Sequence, residues 1–164
     1  MKILNKLMGQ EFNQLFQQFN GDMIVINFGE QIMFSLHLQC FVRISQKNKV
    51  LLTTADVHFN LDYTQKCDNN QSGNLLDYNI GIVNQLLYKS IVTKVVYSGL
   101  RDVTIYFDCG VKIELIMDCL FNGFEYYRFI IYPHCYCDEV GNQDSLHYVC
   151  KLREGTFIEL EENC

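Results

Sequence analysis

Apolar residues alternate with polar ones through Ile24, Ile26 and Phe28, and again through Ile32, Phe34, Leu36 and Leu38, with Gly29-Glu30-Gln31 between the two runs. A period of two on both sides of a glycine-containing turn predicts an antiparallel hairpin with one buried face. The pattern returns in Val103, Ile105 and Phe107, a turn at Asp108-Cys109-Gly110, then Val111, Ile113, Leu115 and Met117. A shift of 79 residues carries Ile24 onto Val103, Ile32 onto Val111, Leu36 onto Leu115 and Cys40 onto Cys119 without a gap. Agreement of register, turn length and a trailing cysteine points to an internal repeat, the alternative being two unrelated hairpins of similar pattern.

Weaker alternation precedes each hairpin, at Phe12 to Phe19 and at Ile91 to Tyr97, and the turns Asn20-Gly21 and Ser98-Gly99 follow. Each unit therefore reads as a three-stranded meander. Between the units stand strand candidates at Phe41 to Ile44 and Val50 to Thr54, then a polar loop over 62–74. Apolar residues at Leu75, Leu76, Ile80, Val83, Leu86 and Leu87 follow helical spacing, which predicts one helix over 75–88 with Asn74 as its cap and Gly81 as a weak point. The last third offers strands at Tyr126 to Tyr132 and His147 to Leu152 and an acidic end, GTFIELEENC, that forms either an edge strand or a frayed tail. The expected fold is α+β and β-rich: two pseudo-repeated antiparallel meander units, about 8–58 and 87–132, with one main helix between them, in a single domain over 1–164.

Composition changes this picture little. A chain of 164 residues with 49% apolar and 20% charged residues is of ordinary globular make-up. Twelve Phe and ten Tyr against one Pro and no Trp suit a sheet-rich core. The net charge of -6, without clustered Lys and Arg, speaks against nucleic acid as a partner and is compatible with a basic protein partner. No apolar run reaches the length of about 18 residues that crosses a bilayer, and MKILNKLMGQEFNQLF lacks the core of a signal peptide, so the expectation is a soluble, cytoplasmic protein without a membrane partner. Eight cysteines in that setting are expected to be largely reduced, several of them serving as small apolar core residues.

Candidate chemistry is sparse. His134, Cys135 and Cys137, with His147 and Cys150 after a turn, are potential Zn²⁺ ligands if two strands bring them together, although a single residue between the paired cysteines is unlike the usual structural sites. The alternative is a reduced strand pair with surface histidines. Asp56 and His58 stand two apart and would share one face of an extended strand, as part of a binding or acid/base site or of a plain polar face. Glu125, Tyr126, Tyr127 and Arg128 combine charge and aromatic rings as exposed interfaces do, and they equally fit an ordinary strand entry with Arg128 paired to an acid. No phosphate loop, nucleophile elbow or paired helical His appears, and no residue is assigned as catalytic.

Taken together, the two hairpins, LHLQCFVRI at Leu36 to Ile44, the TTAD stretch ending at Asp56 and FNGFEYYRF in the second half resemble a family of small uncharacterised bacterial proteins, some of whose relatives are similar to immunity proteins of polymorphic toxin systems. This chain has Phe41-Val42 where the family pattern has Pro-Trp, and Tyr127 where a Trp is expected. The resemblance implies a non-enzymatic protein-binding module, an immunity-type inhibitor whose partner is a toxin. The alternatives are a metal-dependent or thiol enzyme built on the C-terminal His/Cys cluster, and a structural protein that associates with itself through an exposed sheet edge.

Overall fold

A computed structural model describes residues 2–18, 23–59, 74–98, 102–118, 121, 123–132, 145–153 and 156–162. The first meander forms as β1 (Phe12–Gln17), β2 (Ile24–Phe28) and β3 (Phe34–Leu38), and the chain continues into β4 (Phe41–Gln46) and β5 (Lys49–Thr53). A 3₁₀ turn at Thr54–His58 and the helix α1 (Leu75–Leu87) follow. The second meander is β6 (Val92–Tyr97), β7 (Val103–Phe107) and β8 (Val111–Ile116), succeeded by β9 (Glu125–Ile131), β10 (Leu146–Arg153) and β11 (Thr156–Glu162). The acidic end is thus an edge strand, and the fold is α+β with two antiparallel sheets and one main helix, as the alternation predicts.

The two meanders lie in different sheets. One sheet runs β1-β2-β3-β9-β10-β11 and the other β5-β4-β8-β7-β6. After its third strand each unit crosses over: β4 leaves β3 to pair with β8, and β9 leaves β8 to pair with β3. Each unit therefore supplies the strand that extends the other unit's sheet, and neither meander completes a sheet alone.

The repeat extends to single hydrogen bonds. A bulge at Asn13 interrupts β1 against β2, and another at Thr93 interrupts β6 against β7. The Phe12 N–H donates to the Ser90 carbonyl at 2.8 Å while the Val92 N–H donates to the Gln10 carbonyl at 2.9 Å, around a bridge between Glu11 and Ile91. These contacts exchange partners under one pseudo-twofold operation, whose axis passes between Glu11 and Ile91.

The gapless 79-residue match needs one correction. Phe28 pairs with Phe34 across a five-residue turn, 29–33, whereas Tyr106 pairs with Lys112 around a three-residue turn, 108–110. Ile32 consequently leaves the strand: it has a φ of 54° and is 39% exposed. Beyond the turn Leu36 pairs with Ile26 as Ile113 pairs with Ile105, so Leu36 corresponds to Ile113 and Cys40 to Met117. The shorter turn uses Gly110 at φ 81°, the left-handed position that closes a three-residue hairpin loop.

One core joins both sheets and the helix, and includes Phe12, Leu15, Ile26, Phe28, Leu36, Ile105, Ile113, Leu115 and Phe129. Burying one such side chain contributes about 1.5–3 kcal/mol against leaving it in water. α1 is capped as expected, with the Asp77 N–H donating to Asn74 Oδ1 at 2.9 Å. The helix straps the sheets together: Asn79 donates to Asp56 beyond β5, and the Asn84 amide exchanges two 2.8 Å bonds with the Leu15 backbone on β1. In the first unit the same place is held by a shorter 3₁₀ turn, Ile3–Leu7, whose Leu4 N–H donates to Tyr97 Oη at 3.0 Å.

Candidate functional site

The 3₁₀ turn after β5 replaces the strand expected around Asp56 and His58. Thr53 opens it, and its N–H and hydroxyl both donate to the Asp56 carboxylate at 3.0 and 2.9 Å, the first of these being the bond by which the third residue of a capping box reaches back to the N-cap. Asp56 accepts a third bond, from Asn79 Nδ2 at 2.8 Å, so its carboxylate is committed to joining the turn to α1. At three residues per turn, positions two apart point in different directions. Asp56 faces inward to its donors while His58 is exposed, and the structure does not bring the two together.

Where this turn meets the start of β2, the β3–β4 link and the first turn of α1, a cleft of about 330 Å³ opens. Its inner wall is apolar, formed by the buried Ile24, Leu38, Cys40 and Leu76 with the half-buried Val57. His58 and Asp118 stand exposed at its mouth. Phe59, directly after the turn, is 59% exposed and does not line the cleft. Sequence reading missed this site, because Cys40, His58 and Asp118 belong to three elements far apart in the chain and no local spacing links them.

Cys, His and Asp in one cleft invite comparison with a thiol nucleophile and its base. Burial, followed by the Asp118 carboxylate, pushes the Cys40 thiol up to about 12. A nucleophilic cysteine needs the opposite environment, electropositive and partly open, so Cys40 remains a protonated, apolar wall residue at neutral pH.

The proposed aromatic patch on β9 lies inside the protein. Tyr126 and Tyr127 are 0% and 1% exposed, because β9 sits at the centre of its sheet between β3 and β10. The Tyr126 carbonyl accepts the Gln39 and Cys40 N–H groups at 2.9 and 3.1 Å, which holds the β3–β4 link against β9. Tyr127 donates its hydroxyl to Glu159 Oε1 at 2.6 Å, and burial holds its pKa far above the usual phenol range. The flanking charges pair with one another, Arg128 Nη2 to Glu125 Oε2 at 3.0 Å. These four residues form an ordinary strand entry and not a docking surface.

Of the candidate zinc ligands, His134, Cys135 and Cys137 lie outside the described residues. His147 and Cys150 occupy β10 three positions apart, on opposite faces: His147 lies across from Ile130 and bonds Ser145 Oγ at 2.7 Å, while Cys150 lies across from Tyr127 and is buried in the core. Among the described residues no group of three or more His, Cys, Asp or Glu is placed to hold a metal ion.

No protein-family model matches the sequence, and comparison with curated proteins and with solved structures returns no match. The candidate site accordingly rests on this chain's own geometry. Among the described residues no helix is long and apolar enough to cross a membrane.

Proposed function

We propose that this protein is a non-enzymatic protein-binding module, and that the cleft between the 3₁₀ turn Thr54–His58, the β3–β4 link and α1 receives an anchor side chain of its partner. The observation that carries this reading is the combination of an apolar wall and an exposed polar mouth in one concavity. Its volume of about 330 Å³ is at the low end of the roughly 300–1,000 Å³ typical of ligand clefts, room for a large side chain and little more. Anchors of this kind carry most of the energy of protein interfaces when the pocket is desolvated. The protonated Cys40 speaks for binding over thiol chemistry.

The specific form that the sequence resemblance suggests is an immunity-type inhibitor that docks on a toxin. Ala55 lines the cleft from the exposed side of the 3₁₀ turn, so Ala55→Trp blocks the cleft without touching the core. The full chain used as bait is expected to retain a specific protein that Ala55→Trp, melting at the same temperature, fails to retain; in cells, wild-type chain restores growth against a toxin encoded beside it and the variant does not. Equal capture and equal protection by both forms count against the cleft as the binding site.

A further inference from the structure

Resting on the binding-module reading, the charge around the cleft says what its occupant looks like. Among the described residues that line it, Asp118 is the one carboxylate, and there is no Lys or Arg. A second carboxylate, Asp102, is close enough to act with Asp118 on the Cys40 thiol in the same direction. Asp102 accepts the Met117 N–H at 2.9 Å, so it is held in place, whereas Asp118 is exposed and available. Arg43 and Lys112 of the five-stranded sheet do not line the cleft and are engaged by Glu114, at 2.9 and 3.1 Å. The whole chain carries a net charge of -6. An apolar recess with a free carboxylate at its mouth favours an apolar group with a cation beside it, the two being satisfied in one contact.

We infer that the cleft binds a segment of a partner protein in which an aromatic or branched aliphatic side chain lies next to a Lys or Arg, the apolar side chain entering between Leu38, Cys40, Val57 and Leu76 and the cation pairing with Asp118. A single anchor of this size matches the cleft volume.

The test is selection of a displayed library of random peptides on the immobilised full chain, followed by affinity and amide-shift measurements with the best binder. Enriched peptides are expected to carry an aromatic or branched aliphatic residue within two positions of Lys or Arg, and to shift the amide signals of Cys40, Val57 and His58. Their affinity is expected to fall roughly tenfold in Asp118→Lys, less in Asp118→Asn, and to weaken with added salt. Asp118 is exposed, so an unchanged melting temperature in both variants confirms that folding is not what changed. Peptides that shift the same amides without preference for a cation, or that bind Asp118→Lys equally well, overturn this inference and leave the binding-module reading standing. Selection that enriches nothing overturns the inference as well; equal capture of the same proteins by wild-type chain and Ala55→Trp moves the binding site away from the cleft, and the module reading itself falls if the wild-type chain retains no specific protein.

Discussion

The two hairpins β2–β3 and β7–β8 are built alike at their cores and differently at one end. In the second unit Asp102 reaches across to accept the Met117 N–H at 2.9 Å and closes the open end of the hairpin. The corresponding residues of the first unit are Met23 and Cys40, and there the Cys40 N–H turns away to the Tyr126 carbonyl while both side chains line the cleft. A second asymmetry accompanies the first. The segment before β1 is the short 3₁₀ turn Ile3–Leu7, whereas the segment before β6 is the 13-residue α1, whose first turn forms part of the cleft wall. What the units share serves the sheets; what distinguishes them converges on one place. In a repeated fold that divergence is a stronger pointer to function than any single motif, because architecture alone gives no reason for it.

The largest expected effect tests the shared part. Ile26 and Ile105 occupy equivalent positions on β2 and β7, each 0% exposed and each in the common core. Ile26→Ala and Ile105→Ala should each lower stability by about 2–5 kcal/mol, the range for truncating a buried aliphatic side chain. Chemical denaturation should find the two losses within about 1 kcal/mol of each other, since equivalent sites collapse around a cavity alike. A much larger difference would show that the sheets do not contribute equally to one cooperative unit. Asp102→Ala, next in size, opens the second hairpin's end and leaves the Met117 N–H without its acceptor, for a loss of about 1–3 kcal/mol. Met23→Ala at the matching place faces an open cleft, where a missing side chain is replaced by water, so its loss is expected to be the smaller of the two in the same denaturation series.

The strands were legible in the sequence because apolar residues recur with a period of two in both hairpins; in β7–β8 this marks one buried face, whereas β2–β3 is buried on both, with Val25, Asn27 and Ser35 also out of contact with water. The helix was legible because Asn74 and the spacing of Leu76, Ile80, Val83 and Leu87 agree with one another, and those four are its buried residues. Three things were not. The turn at 29–33 hides its length, since Ile32 continues the alternation by identity while its backbone has left the strand. Tyr126 and Tyr127 read as an amphipathic surface pair because a central strand is buried on both faces and shows no alternation, and centrality is set by which strands pair with it. The cleft is assembled from residues at 23–24, 38–41, 54–55, 57–58, 76 and 118, a set fixed by the crossing of β4 and β9 between sheets, which no local pattern encodes.

A smaller effect isolates the helix that only the second unit has in full. Gly81 lies in the interior of α1, and a Cβ placed there meets no atom within 4 Å. Gly81→Ala should therefore raise stability by about 0.5–1 kcal/mol, through the lower backbone entropy of the unfolded chain and the better helix propensity of alanine. The gain should appear in the denaturation midpoint without weakening partner capture. A loss of stability would mean that α1 needs the freedom of glycine at this point, and that it is less rigid a strap than its bonds to Asp56 and Leu15 indicate.

The finest contrast is electrostatic, and it separates the sheets by pH. In the five-stranded sheet Arg43 lies across from Glu114, and its guanidinium, the largest influence, holds the Glu114 carboxyl below its ordinary value. In the six-stranded sheet the opposing pair is His37 and Arg128, where burial first and the Arg128 charge second hold the imidazole below its ordinary value of 6.5. Glu125 acts on His37 in the opposite direction and His147 in the same direction as Arg128. Both folded-state values are depressed, so each group stabilises the fold above its unfolded-state value and loses that contribution as pH falls through the folded one. The windows differ: the decline from His37 begins as pH drops below about 6.5 and the decline from Glu114 below about 4.5. Solvent screening keeps the effects modest at these partly exposed sites. Urea midpoints measured against pH should therefore fall in two steps. His37→Gln should remove the upper step and Glu114→Gln the lower one. Persistence of the upper step in His37→Gln would show that the six-stranded sheet's pH sensitivity arises from another group, and that the contrast between the two cross-strand pairs is not what separates the sheets.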